Sequence, residues 1–180
     1  MQTPTHTLAG VLLGRALAAR IPHRATRWVV IGMATVVLHG ILDRLARLTY
    51  HPADPLWLDP FWVSYHAGMV VLSLWSLTRY GHSDTHAVIG ANLPDLDWVV
   101  LHGSRTLGIQ FSFWSTPILH EMLYRGIDWL PGMGWLRDLP TNSDQPWGSV
   151  LELLLLLSLL GWLWQTRRQH PAPAGVAVHS

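Results

Sequence analysis

The pair His39 and Asp43 has the clearest chemical potential in the sequence. Side chains four residues apart on a helix lie on the same face, so this imidazole and this carboxylate would project together. Such a pair can hold a metal ion. The surrounding segment from Trp28 to Leu48 is otherwise apolar, and ionisable groups are costly there, which makes them functional candidates. Two alternatives stay open: a His–Asp hydrogen bond that fastens two helices, or an Asp43–Arg47 pair on a solvated face.

Histidine and carboxylate side chains also occur elsewhere in or beside apolar segments. A lone histidine on an apolar face is more often a hydrogen-bonded core residue than a ligand, so no single position is specific. Our hypothesis is that several of them meet around one ion. The further candidate ligands are His6, His51, Asp95 and His120. Asp54 and His102 are weaker candidates.

The two glutamates are left out of the predicted site. Glu121 and Arg125 have the spacing of an ordinary helical ion pair. Glu152 lies in the last apolar segment, where we expect it to pair with an arginine or a histidine. The chain contains nine Asp and eleven His but only these two Glu, so His and Asp are the main candidates for metal ligands.

Pro94 interrupts the apolar segment that carries Asp95 and Asp97. Proline breaks helical hydrogen bonding and suits the first position of a new helix. The two aspartates would then lie in a first helical turn, where free N–H groups and the helix dipole favour carboxylates. Residues two apart on a helix do not share a face. We therefore predict separate catalytic roles, one aspartate as a ligand and the other as acceptor of the water's proton.

Composition indicates a small integral membrane protein. Hydrophobic residues make up 49% of the 180 residues and charged residues 13%, against about 25% charged in soluble domains. Many of the eleven Trp lie near the ends of apolar runs, where interfacial aromatic belts occur. A net charge of +1 argues against a nucleic-acid partner. The absence of Cys excludes disulfides and thiolate metal sites, and the N-terminal residues lack a signal-peptide pattern.

The elements that must position these residues are predicted to be helices. The predicted fold class is all-α, an integral membrane helical bundle of five to six helices with one helix broken at Pro94. The helical segments are 4–20, 28–48, 61–79, 85–103, 111–129 and 147–165. Of these, 28–48, 61–79 and 147–165 are expected to span the membrane. A single domain is expected over 1–168, followed by a disordered tail at 169–180.

The first segment contains residues typical of a helix N-terminus and a pair of glycines typical of close helix packing. Thr3 can cap the helix, and Pro4 suits its first position. Gly10 and Gly14, four residues apart, would let another helix approach closely. The four arginines between residues 15 and 27 form the densest basic stretch and should lie in the cytoplasm. The expected location is therefore the inner membrane, as a multi-pass protein.

Three motifs carry a resemblance to a known family. They are Thr5-His6, His39-x3-Asp43 with the following His51 and Asp54, and Leu93-Pro94-Asp95-Leu96-Asp97. Together they resemble the small prokaryotic membrane-bound metal-dependent hydrolases, a family distantly similar to zinc-dependent phospholipase C. The resemblance covers residues 3–98, with His120 as a weaker match. The chain departs from the family pattern at Trp98, where a histidine often stands, and in the wider spacing between Asp43 and His51.

The resemblance implies a hydrolase in which a metal-activated water attacks a phosphate or acyl ester. A scaffold embedded in the lipid bilayer would favour a lipid-derived substrate. Whether the protein forms a homo-oligomer stays open. A His/Asp ligand set suits zinc first and manganese second. Two other classes stay open: a transporter subunit with an ion or proton path, and a structural membrane protein whose His–Asp pairs fasten helices.

Overall fold

The computed structural model describes residues 1–52, 54–109, 111 and 114–169, and this part of the chain contains helices and no strand. The α-helices are α1 Thr3–Ala18, α2 Arg24–Leu45, α3 Pro60–Tyr80, α4 Thr85–Asn92, α5 Leu96–Leu107, α6 Ile118–Asp128 and α7 Gly148–Gln169. Short 3-10 helices lie at Ala46–Leu48 and Gly134–Asp138. The all-α class is therefore confirmed for the described residues. The tail predicted to be disordered lies outside them from residue 170 onward.

The helix break predicted at Pro94 is present. The fourth predicted segment forms two helices, α4 ending at Asn92 and α5 beginning at Leu96. Asp95 is the residue before α5, and Asp97 lies in its first turn. The proline therefore places both aspartates at a helix start, as its restriction of the backbone leads one to expect.

Two predicted helix starts are wrong. The helix predicted to begin at residue 111 begins at Ile118, directly after Pro117. Proline disfavours helical conformation in the residue before it, which explains the late start. Thr3 is not the cap of α1 but lies within the helix; Gln2 is the N-cap, and its own side chain makes no capping hydrogen bond.

Small residues let α4 pack closely on α1 and α2. A Cβ atom added to Gly10 would lie 2.6 Å from the Cβ of Ala91, and one added to Gly14 would lie 2.7 Å from the Cβ of Ala87. The close approach predicted for these two glycines is thus made by α4. On the other side of α4, a Cβ at Gly90 would overlap Thr35 and the backbone of α2.

An apolar core joins α1, α3, α4 and α7. Its fully buried members are Leu8, Val11, Met69, Tyr80, Val88, Leu156 and Leu163. These residues bring the N-terminal half of α1 against α7, although the two helices lie at opposite ends of the chain. The site described below depends on that arrangement.

Two segments are long and apolar enough to cross a membrane, Arg24–Leu48 and Gly148–Thr166. Of the 18 most apolar consecutive residues in each, only 28% and 33% are buried by the rest of the chain. The third predicted span, 61–79, forms α3 but does not meet the same test. Its serine, tyrosine and histidine side chains lower its hydropathy.

Candidate metal centre

His39 and Asp43 share one face near the end of α2, as their spacing predicts. The Nε2 atom of His39 lies 3.1 Å from Oδ2 of Asp43. The His39 side chain is fully buried and that of Asp43 is 11% exposed. The alternative pairing of Asp43 with Arg47 is not formed, because Arg47 turns to Thr141.

Three further groups converge on the Asp43 carboxylate. His6 Nε2 lies 3.0 Å from Oδ1, and His120 Nε2 lies 3.2 Å from Oδ2. The α-ammonium group of Met1 donates to Oδ1 at 2.9 Å. The rings of His6 and His39 stack with their centroids 3.9 Å apart. Helices α1, α2 and α6 thus each contribute a histidine to one anionic centre.

His39, His120 and Asp43 form a compact triangle of ligand atoms. The Nε2 atoms of the two histidines lie 3.4 Å apart, and each lies within 3.2 Å of Oδ2 of Asp43. Tetrahedral ligands at the zinc bond lengths of about 2.0–2.2 Å are separated by about 3.4 Å. The Oδ1 atom of Asp95 lies 3.7 Å from His39 Nε2, on the more open side. Two groups with metal-ligand spacing occur among the described residues, His6–His39–Asp43 and His39–Asp95–His120.

The hydrogen bonds of two histidines fix which ring nitrogen faces the centre. His39 Nδ1 lies 2.7 Å from the carbonyl oxygen of Ala91, which can only accept, so Nδ1 carries the proton. His120 Nδ1 lies 3.0 Å from Oδ2 of Asp97, a carboxylate acceptor. In the neutral rings both Nε2 atoms therefore present lone pairs to each other and to Asp43. Three acceptor atoms this close repel one another unless a cation or a proton lies among them.

Asp97 holds His120 rather than facing the centre. Its side chain is fully buried, and its Oδ2 accepts hydrogen bonds from the backbone N–H of His120 at 2.8 Å and from the ring. Its Oδ1 accepts from the indole N–H of Trp114 at 2.9 Å. These contacts favour an orienting role for Asp97 over the proton-accepting role that its sequence position left open. Trp114 belongs to none of the sequence motifs, and nothing in its local sequence indicated this contact.

His6 differs from the other two histidines. Its Nε2 also lies 3.1 Å from the carbonyl oxygen of Met1, so both neighbours of this nitrogen are acceptors and it donates. Its buried Nδ1 has no hydrogen-bond partner among the described residues. His6 can therefore bind an ion through Nε2 only if its proton moves to Nδ1. His39 and His120 need no such rearrangement.

Burial has the largest influence on the pKa values at the edge of the cluster. It lowers the pKa of His6 to about 3, against an opposing hydrogen bond to Asp43. It raises the pKa of Asp95. Burial also disfavours the charged form of His120, but hydrogen bonds to Asp43 and Asp97 outweigh it, and the pKa of His120 is raised. A proton and a metal ion would thus compete for His120.

Two candidate residues lie apart from these groups. The side chain of His51 contacts Gln2, with 3.2 Å between Nδ1 and the amide nitrogen, and its backbone N–H donates to the carbonyl of Ser143. His51 belongs to neither group with metal-ligand spacing. Asp54 is exposed. The chain after α2 packs against the 142–148 segment, and His51 contacts Gln2 instead of joining the ligand atoms.

The prediction that Glu152 pairs with an arginine or a histidine is wrong. Its carboxylate accepts hydrogen bonds from the backbone N–H of Gln2, the hydroxyl of Thr5 and the phenol of Tyr65. An ionisable residue in an apolar helix is visible in the sequence, but nothing there indicates that α1 would begin beside it.

An apolar cavity of about 370 Å³ lies between α2, the Pro94 break and α6. Pro94 and Leu119, which directly precede Asp95 and His120, both line it. The remaining lining residues are apolar side chains and one glycine: Val36, Val37, Leu93, Met122, Leu123, Gly126, Ile127 and Leu130. A cavity of this lining suits a hydrocarbon group rather than a polar one.

Comparison of the chain with protein-family models, curated proteins and solved structures gives no match. The geometry of the cluster is therefore the structural observation that bears on metal binding. Two histidines, each with Nδ1 held by an acceptor, and one carboxylate form a ligand set known from catalytic zinc sites, which keep a further position open. Here the open side faces Asp95, whose side chain is 28% exposed.

Proposed function

We propose that this protein is a membrane-bound metal-dependent hydrolase whose ion is held by His39, His120 and Asp43. The observation that carries the proposal is the triangle of facing acceptors, with Nε2–Nε2 and Nε2–Oδ2 distances of 3.4, 3.1 and 3.2 Å. An ion among them would replace the repulsion of three lone pairs with three bonds.

The donor set narrows the choice of ion and of chemistry. Two imidazoles and a carboxylate, with no thiolate in the chain, suit zinc first and manganese second. When bound, such an ion lowers the pKa of a coordinated water to about 7 and so supplies hydroxide at neutral pH.

The chain's own residues would orient the ligands and accept the proton. The Ala91 carbonyl fixes the ring of His39, and Asp97 fixes the ring of His120. Asp95 lies at the opening, and its raised pKa makes it a stronger proton acceptor than an ordinary aspartate. We assign it the proton-accepting role. His6 would support Asp43 by donating to Oδ1.

The substrate class follows from the surroundings of the cluster. The apolar cavity is lined in part by Pro94 and Leu119, the residues directly before Asp95 and His120, and it supports an ester with a hydrocarbon group. Two helices long and apolar enough to cross a membrane support a location there. We therefore propose a lipid-derived phosphate or acyl ester as the substrate and the inner membrane as the location, with the family resemblance as the source of the hydrolase class.

Metal analysis of the detergent-purified full chain tests the proposal. We expect about one zinc or manganese ion per chain and hydrolysis of either a nitrophenyl phosphodiester or a nitrophenyl acyl ester. The choice between these two reporters identifies the ester class. Protein that contains no metal and takes up none from added Zn²⁺ or Mn²⁺ in equilibrium dialysis would overturn the proposal.

A non-enzymatic structural role is the second candidate, and one observation favours it. His6 already donates to Asp43, and the raised pKa of His120 allows a second proton to lie beside the same carboxylate. The histidines could then fasten α1, α2 and α6 together through protons alone. This role needs no stoichiometric metal, so the same metal analysis separates the two candidates.

A further inference from the structure

Glu152 on α7 is bound to the first turn of α1. Its side chain is fully buried. Oε1 accepts from the backbone N–H of Gln2 at 2.7 Å and from the hydroxyl of Thr5 at 3.0 Å, and Oε2 accepts from Tyr65 at 3.0 Å. A buried carboxylate is costly unless such bonds satisfy it. Glu152 therefore has a defined position in the structure.

This carboxylate replaces the missing cap of α1. The first N–H groups of a helix lack partners within the helix, and Gln2 offers no side-chain cap. Glu152 supplies the acceptor from a different helix, at the end of α1 where the helix dipole favours a negative charge. The first turn of α1 is thereby held at a fixed place against α7.

His6 lies in that turn, directly after Thr5. The rings of His39 and His120 are each fixed at Nδ1, by Ala91 and Asp97, whereas Nδ1 of His6 has no hydrogen-bond partner among the described residues. Its Nε2 instead contacts Asp43 and the carbonyl oxygen of Met1, so the placement of the ring depends on where the start of α1 is held.

We propose that Glu152 is a positioning residue for the metal centre. Through the first turn of α1 it sets the imidazole of His6 against Asp43 and on the ring of His39. The inference rests on the proposed function, since it assigns a role toward the same ion. It gives a functional reason for a carboxylate near the start of an otherwise apolar helix.

The test measures Co²⁺ binding by the detergent-purified full chain. Titration gives the affinity, and the visible absorption band reports the surroundings of the ion. The variants are Glu152→Gln, His6→Ala and the double variant. Ser158→Ala is the control on the same helix, because its hydroxyl donates within α7 to the carbonyl of Leu154. We expect Glu152→Gln to weaken Co²⁺ binding by up to about tenfold, the lower end of the range for residues that orient ligands, because Glu152 acts on the ligand Asp43 only through His6. We also expect a shifted band, with Ser158→Ala unchanged.

The double variant separates positioning from general destabilisation. If Glu152 acts through His6, Glu152→Gln should have little further effect on Co²⁺ affinity once His6 is alanine. The proposal would be overturned if Glu152→Gln lowered Co²⁺ affinity by the same factor with and without His6. Unchanged Co²⁺ binding in Glu152→Gln would also overturn it. Should that variant fail to fold, Thr5→Val removes one of the same hydrogen bonds and should act in the same direction.

A measurement without metal keeps this inference distinct from the proposed function. In metal-free protein with ¹⁵N-labelled histidine, Glu152→Gln should move the ring resonances of His6 but not those of His120. If that shift occurs while the wild type binds no Co²⁺, the positioning role stands and the metal centre falls. Tight Co²⁺ binding with no His6 shift would instead support the metal centre and overturn the positioning role.

Discussion

Asp43 is the residue on which the other groups of the site depend. Three imidazoles and an ammonium group lie within 3.2 Å of its two oxygens. A single negative charge in a buried setting is stabilised by such contacts, and a cation among the lone pairs would stabilise it further. Substitution at this residue should therefore separate the metal centre from a purely structural network.

Asp43→Asn keeps the size of the side chain and one acceptor oxygen but removes its charge. We expect the variant to fold and enter the membrane yet to lose its metal, measured by elemental analysis after purification. If His–Asp pairs only fasten helices, metal content should not change and stability should fall little, because interhelical polar bonds average about 0.6 kcal/mol.

Asp54→Asn is the matched control for this comparison, since Asp54 is exposed. Asp128 is a poorer control, because it pairs with Arg44 at 2.8 Å. Equal metal content in the wild type and in Asp43→Asn would show that Asp43 does not hold the ion.

Asp97→Asn tests the orientation of His120. The two carboxylate oxygens of Asp97 accept from three N–H groups, and the amide replaces one of these oxygens with a donor, so the ring of His120 should lose its fixed tautomer. We expect metal affinity to fall by about 10–100-fold, as for other residues that hold a ligating histidine. Titration with Co²⁺ measures the change, and Asp138→Asn at an exposed position is the control. Unaltered affinity in Asp97→Asn would contradict the orienting role.

At the scale of elements, close packing of α4 sets the position of His39. The carbonyl of Ala91 that holds the His39 ring belongs to α4, and Gly90 beside it packs against α2 with no room for a Cβ atom. A shift of α4 away from α2 would therefore act on stability and on the metal centre together.

Gly90→Ala should move α4 and so lower both the stability of the fold and the affinity for metal. Overlap with backbone cannot be relieved by a side-chain rotation, so we expect a loss of about 1–3 kcal/mol in the free energy of unfolding. Metal affinity should fall as well. Thermal unfolding followed by tryptophan fluorescence measures the first, and Co²⁺ titration the second.

Gly68→Ala in α3 is the matched control for Gly90→Ala. An added Cβ there meets open space, and the lower backbone entropy of alanine should stabilise the helix by about 0.5–1 kcal/mol. If the two alanine variants unfold at the same temperature, the α2–α4 contact does not have the importance we give it.

At the scale of the whole molecule, much of the surface is apolar. On α7, Leu154 is 56% exposed and Leu157 is 64% exposed. This helix is one of the two that are apolar enough to span a bilayer. On α3, Val71 is 65% exposed. Large apolar surfaces are unfavourable in contact with water, and lipid chains would remove them from water in a bilayer.

The full chain should remain in the membrane pellet after alkaline carbonate extraction. Leu157→Arg places a charge near the middle of the α7 segment, where an arginine costs about 2.5–3.5 kcal/mol in insertion. We expect a larger extracted fraction for this variant than for Leu157→Ala. Release of the wild type into the carbonate supernatant would exclude an integral membrane location.

Local rules were enough to predict several features from the sequence. The four-residue spacing predicted that His39 and Asp43 share a face, because that relation depends only on helical geometry. Pro94 predicted the break before Asp95, because proline restricts its own backbone and that of its neighbour. Gly10 likewise predicted a close helix contact, though not that α4 would make it.

The tertiary structure alone decided which residues meet. His120 lies 81 residues from His39, and Glu152 lies 147 residues from Thr5. A periodic pattern shows which face of a helix carries the apolar or ionisable side chains, but it does not show which other helix will pack against that face. Long-range packing of apolar side chains joins α1 and α6 to α2, and α7 to α1. Many sequences with the same pattern could pack in other ways. The ligand triangle and the cap of α1 by Glu152 are products of that packing.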